Sequence, residues 1–137
     1  MSYKAPELKI TTTRLYAMVF TQDNLAAGSN TTLLAGPIPF NFRIVNIKAV
    51  FRNDAANLTR IYVFHANNSS LGTTAPPPDS NVLGPYSPSG YLLGEGLVLD
   101  IPLDYPVESG RYVKVHCQNN CAYVQTMNVI VTIAEAS

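Results

Sequence analysis

The chain has 137 residues, of which 47% are hydrophobic and only 13% charged, with a formal net charge of +0. That length suits one domain with a real core, and the charged share is about half of what globular chains carry. A neutral chain without a basic block lacks the phosphate-neutralising patch that nucleic-acid binding needs, and no apolar run approaches the roughly 20 residues of a membrane helix. Weak charge repulsion between copies suits a protein that packs against others, and equally a poorly charged monomer.

In chain order, residues 1–9 read as an extended arm, because Pro6 blocks regular pairing and Lys4, Glu7 and Lys9 leave little to bury. The opening MSYKAPELKITTT has no apolar h-region, so no secretory signal is expected. The Asn-x-Ser/Thr sites at Asn30, Asn57, Asn67 and Asn68 then read as chance matches. Leu8 to Thr21 is predicted to be a long strand with Leu15, Ala17 and Val19 on one face and Tyr16, Met18 and Phe20 on the other. Both faces are apolar, so the strand is expected to be covered on both sides or to sit at an interface.

A loop at Asp23–Asn30 precedes a short strand, Thr31 to Leu34, halted by Gly36-Pro37-Ile38-Pro39. From Phe40 to Arg52 the apolar period slips from Phe40, Phe42, Ile44 to Val45, Ile47, Ala49, Phe51, the mark of a β-bulge. A turn at 53–57 leads into a strand from Thr59 to Ala66. Residues 67–90 form a Pro-rich loop with Pro76-Pro77-Pro78, which cannot pair as a central strand. Leu92 to Leu103 resumes the alternation, and Tyr105 to Gly110 reads as a turn.

The segment Arg111 to Ile133, RYVKVHCQNNCAYVQTMNVIVTI, reads as an antiparallel hairpin around Gln118-Asn119-Asn120, with Cys117 opposite Cys121. One face then collects Val113, Val115, Cys117, Cys121, Tyr123, Met127, Val129, Val131 and Ile133. The other carries Lys114, His116, Val124, Thr126, Asn128 and Thr132. The expected fold is all-β: a single antiparallel β-sandwich of jelly-roll type over residues 10–137, with seven or eight strands and a short N-terminal extended arm.

Chemistry is sparse. His116, Cys117 and Cys121 resemble half a zinc site, but the hairpin turns His116 away from both thiols and no second Cys/His pair completes four ligands. No metal and no cofactor are expected. The cysteines read as buried thiols, with a cross-strand disulfide as the alternative. There is no G-x-S-x-G elbow, and His65 reads as a structural histidine on a core face, so no catalytic residues are assigned and no enzyme is expected.

The stretch Gly36-Pro37-Ile38-Pro39-Phe40-Asn41-Phe42-Arg43-Ile44-Val45-Asn46-Ile47 resembles small jelly-roll structural proteins of tailed phages and other double-stranded DNA viruses. So do Ser109–Val115 and the T-x-N-V-x-V-T-I ending at 126–133, and the likeness spans residues 36–66 and 107–134. It implies a capsid decoration, minor capsid or head-fibre protein of the virion, assembled in the host cytoplasm. The partners would be further copies of the chain, as a trimer or larger oligomer, and a major capsid protein, with neither nucleic acid nor membrane. The interaction surface is expected at Tyr3 and Pro6 in the arm and at Pro77, Tyr86 and Tyr91 around the Pro-rich loop. The alternative is a carbohydrate- or receptor-binding sandwich module using Tyr86 and Tyr91 as an aromatic surface.

Overall fold

The computed structural model describes residues 14–52, 58–72, 76, 81–87, 90–92 and 96–136. Among them run nine strands and no helix: β1 (Leu15–Leu25), β2 (Asn30–Ala35), β3 (Phe42–Phe51), β4 (Thr59–Ala66), β5 (Val82–Tyr86), β6 (Gly90–Leu92), β7 (Gly96–Val107), β8 (Tyr112–Asn119) and β9 (Gln125–Glu135). They form two antiparallel sheets, one in the order β1-β9-β3-β7-β6 and the other β2-β8-β4-β5. With the three-residue β6 set aside, this is an eight-stranded β-sandwich, as the alternating runs predicted. The expected arm at residues 1–9 lies outside the described residues.

The core forms where the inward faces of the two sheets meet. Phe42, Ile44, Ile47 and Phe51 of β3 and Met127, Val129, Val131 and Ile133 of β9 face Ile61 and Val63 of β4 and Val113, Val115 and Cys117 of β8, all essentially solvent-free. Each such side chain contributes roughly 1.5–3 kcal/mol of burial. The slip in the β3 pattern is a real bulge. Its register shifts between Ile44 and Asn46 against both β7 and β9, so Ile44 and Ile47, three apart, both point inward.

Three expectations need correction. Arg111–Ile133 is not a hairpin: β8 pairs with β2 and β4, whereas β9 pairs with β1 and β3 in the opposite sheet. Residues 120–124 therefore cross from one sheet to the other, and Cys117 lies opposite Thr31 and Ile61 rather than Cys121. Alternation states which side of a strand is buried but not which strand lies beside it, and a crossover preserves the facing as well as a hairpin does. The core faces of β8 and β9 were accordingly right, but Tyr123, placed in the core by the hairpin, is 66% exposed on the crossover.

The Pro-rich region 67–90 contains the edge strand β5, which accommodates Pro85 because an edge residue need not donate to a ladder on both sides. The turn expected from Tyr105 starts later, since β7 continues to Val107. Pro102 and Pro106 lie where β7 has β3 on one side and no β6 on the other.

Candidate interaction surface

Two apolar patches on the described surface stay uncovered. The first is the outer face of β1, the edge strand of the larger sheet. Tyr16, Met18 and Phe20 turn toward the core side, leaving Leu15 at 63% and Val19 at 65% exposure with Ala17 between them. Directly opposed residues of antiparallel strands share a face, so Val19 lies beside Ile130, Ala17 beside Thr132 and Leu15 beside Ala134 of β9. One strand further in, the same rows reach Lys48, Asn46 and Arg43 of β3. There Asn46 donates to Asp100 (2.9 Å) and Arg43 pairs with Asp104 (Nη2 to Oδ2, 2.8 Å), which holds the Asp104 carboxyl below its ordinary value. The face thus changes from apolar at its β1 edge to polar and charged at its centre. No charge lies between Arg14 and Asp23, so the long β1 edge lacks the lysines that usually discourage association.

The second patch lies at one end of the sandwich, where the β1–β2 and β8–β9 connections meet Leu58 just before β4. Leu58, Tyr123 and Val124 are exposed there, together with Ala26 and Ala27. Asn119 holds these connections from beneath with no exposure of its own. Its Nδ2 donates to Leu25 O (2.9 Å), Ala26 O (3.3 Å) and Tyr123 O (2.8 Å), and its Oδ1 accepts from Cys121 N (3.1 Å). The Asn120 amide adds a bond to Leu58 O (2.6 Å).

Of the surface residues expected from sequence, Tyr3, Pro6 and Pro77 lie outside the described residues. Tyr86 is half-buried opposite Ile61 and packs against the core, and this burial raises its phenol above the ordinary value. Tyr91 lies in β6 opposite Leu97, so the two tyrosines belong to different sheets. Sequence reading did not single out Leu58, Tyr123 and Val124. It flagged the doubly apolar β1, which was the available signal for Leu15 and Val19.

The titratable groups are tied into the framework. His65 Nδ1 accepts from Arg111 Nε (2.9 Å), and its Nε2 is 3.4 Å from the Tyr105 hydroxyl. His116 is sealed from solvent in the middle of the second sheet. Cys117 and Cys121 are free and buried, and burial pushes the Cys117 thiol up to about 12. Among the described residues no three His, Cys, Asp or Glu side chains converge as a metal site, and no helix is long and apolar enough to cross a membrane. Comparison with known proteins finds no family model and no curated protein that matches this chain.

Proposed function

We propose that this chain is a non-enzymatic structural protein, a jelly roll that packs against neighbouring subunits as a capsid decoration or minor capsid component of a virion. Support for the jelly-roll reading comes from the strand order: β1-β9-β3-β7 faces β2-β8-β4-β5, with the chain changing sheets at each step from β1 to β4 and again from β7 to β9. The observation that carries the packing role is the uncovered apolar row Leu15–Ala17–Val19 on an edge strand without charge from Leu15 to Gln22, flanked by Ile130. Contiguous apolar surface of this kind marks contact with another protein, and the low charge of the chain offers little repulsion against it.

Light scattering across a concentration series tests the reading. Masses at a fixed multiple of 14.9 kDa are expected; a monomer at every concentration would overturn it. The two-thirds-exposed ring of Tyr123 at the loop end supports a second reading, a sugar- or receptor-binding module, because exposed aromatic rings provide stacking surfaces. Retention on a polysaccharide column that Tyr123→Ala abolishes would favour it, and no retention on any glycan would remove it.

A further inference from the structure

The outer face of the second sheet is covered by a short strap fastened above a buried imidazole, His116. Residues 67–72, exposed themselves, lie across β8, and beneath them His116 has 0%, Lys114 3% and Thr32 7% exposure. Outward-facing residues of a central strand reach such values only under a cover. Two sets of bonds fasten it. Lys114 Nζ donates to Ser70 O (2.6 Å) and Asn68 Oδ1 (3.0 Å), and Asn68 Oδ1 also accepts from Ser70 N (3.1 Å) and Ser70 Oγ (2.6 Å). At the far end, the Thr32 hydroxyl donates to Gly72 O (2.5 Å) and lies 2.8 Å from His116 Nδ1.

That chain of bonds sets the tautomer. A hydroxyl has a single hydrogen, and Thr32 gives it to Gly72 O. The contact to His116 must therefore be an Nδ1–H donating to Thr32 Oγ1. The remaining lone pair is on Nε2, which is buried with no hydrogen-bond partner. A proton added there would find no acceptor among the described residues. The other buried orphan, Asn30 Oδ1, is likewise unpartnered and makes no bond to it.

The surroundings are also unfavourable to a second charge. Facing His116 from its own strand are Lys114, already cationic, and Gln118. From β4 come Tyr62, with its ring centroid 5.8 Å away, and Arg60 beside Gln118; from β2 come Thr32 and Asn30. The described part of the strap brings only neutral groups, and no carboxylate faces the site among the described residues. Burial lowers the proton affinity of both His116 and Lys114.

We propose that residues 67–72 form an acid-released strap over the outer face of the β2-β8-β4-β5 sheet, with protonation of His116 at Nε2 as its trigger. Opening the strap lets water solvate the imidazolium and separates it from the Lys114 contacts, at the cost of the Thr32–Gly72 and Lys114–Ser70 bonds. The sign follows from linkage. The closed form binds the His116 proton less well than the open form, whose affinity is near the ordinary 6.5. Closure is therefore fully favoured above that value and loses up to about tenfold in equilibrium constant per pH unit below it, until pH passes the depressed value of the closed form. Release uncovers His116, Lys114 and Thr32, which makes this face available only in acid.

Hydrogen exchange followed by mass spectrometry, corrected for the pH dependence of intrinsic exchange, tests the proposal on the intact chain. Between pH 7.5 and 5, protection of the peptide covering 67–72 should fall about tenfold or more, while the β9 peptide covering 127–133 stays protected. His116→Asn places an amide N–H where Nδ1 meets Thr32 but does not titrate, so its strap protection should not vary with pH. If that variant fails to fold, an NMR titration of the His116 ring in the unaltered protein replaces it, and its midpoint should coincide with the loss of strap protection. Unchanged strap protection at pH 5, equal acid loss in β9, the same pH dependence in His116→Asn, or a non-coincident midpoint would each overturn the assignment.

Discussion

Asn119 ties the β1–β2 and β8–β9 connections together through one buried amide. Two N–H bonds point at three backbone carbonyls, while the oxygen takes the Cys121 amide and lies 2.7 Å from the Cys121 Sγ. Asn119→Ala leaves these groups buried without partners, at about 1–3 kcal/mol for each one that water cannot reach. The expected loss is about 2–4 kcal/mol, read as a lower denaturant midpoint at unchanged m; less than 1 kcal/mol would show that the loops re-pair without it. Asn119→Asp should be worse, because it aims carboxylate oxygens at carbonyls. For Cys117, a thiol pushed up to about 12 is ionised in roughly one molecule in 10⁴ at pH 8. Iodoacetamide should leave it unmodified in the native protein and alkylate it in denaturant, and rapid native labelling would contradict its burial. The buried thiol was legible beforehand, because alternation put Cys117 on the core face of its strand; the role of Asn119 was not. Asn119 resembled a turn residue because Asn commonly is one, and two of its three acceptors come from a connection nearly a hundred positions away.

At the scale of strands, the pattern was legible wherever it depended on one strand alone. The β3 bulge could be read because a slipped period is local, and β4 was bounded at Thr59 and Ala66 as predicted. Pairing was not legible for β8 and β9, since each satisfies its alternation equally well against any neighbour of the right length. Strand β5 was hidden by its proline and glycine. Gly84 has φ +112°, and a Cβ there would meet the Ile61 carbonyl oxygen at 2.9 Å. Gly84→Ala should cost about 1–3 kcal/mol through backbone strain, seen as a drop in Tm. On β1, Leu15→Lys and Val19→Lys alter exposed positions and should leave folding stability within about 0.5 kcal/mol. Under the packing proposal the same changes should lower the mass found by light scattering toward the monomer. An unchanged oligomer would move the contact to another surface, with Leu58, Tyr123 and Val124 the next to alter.

For the molecule as a whole, a net charge of +0 means that assembly under the packing proposal, through the apolar β1 row, should depend little on ionic strength. Raising salt from about 0.05 to 0.5 M should leave the oligomer intact or strengthen it; dissociation would point to charge pairing across the contact instead. The outer face of the second sheet behaves differently, because its strap is predicted to respond to pH through His116. Composition and alternation by themselves determined that this chain is an all-β sandwich, which side of most strands is buried, and that β1 has apolar side chains on both faces. Those properties follow from residue type and a period of two. Tertiary structure alone decided that β8 and β9 belong to opposite sheets, that Tyr123 is exposed, that Asn119 joins the β1–β2 and β8–β9 connections, and that His116 lies sealed beneath residues 67–72. Each of these depends on which distant segment lies alongside, and local periodicity contains no information about that.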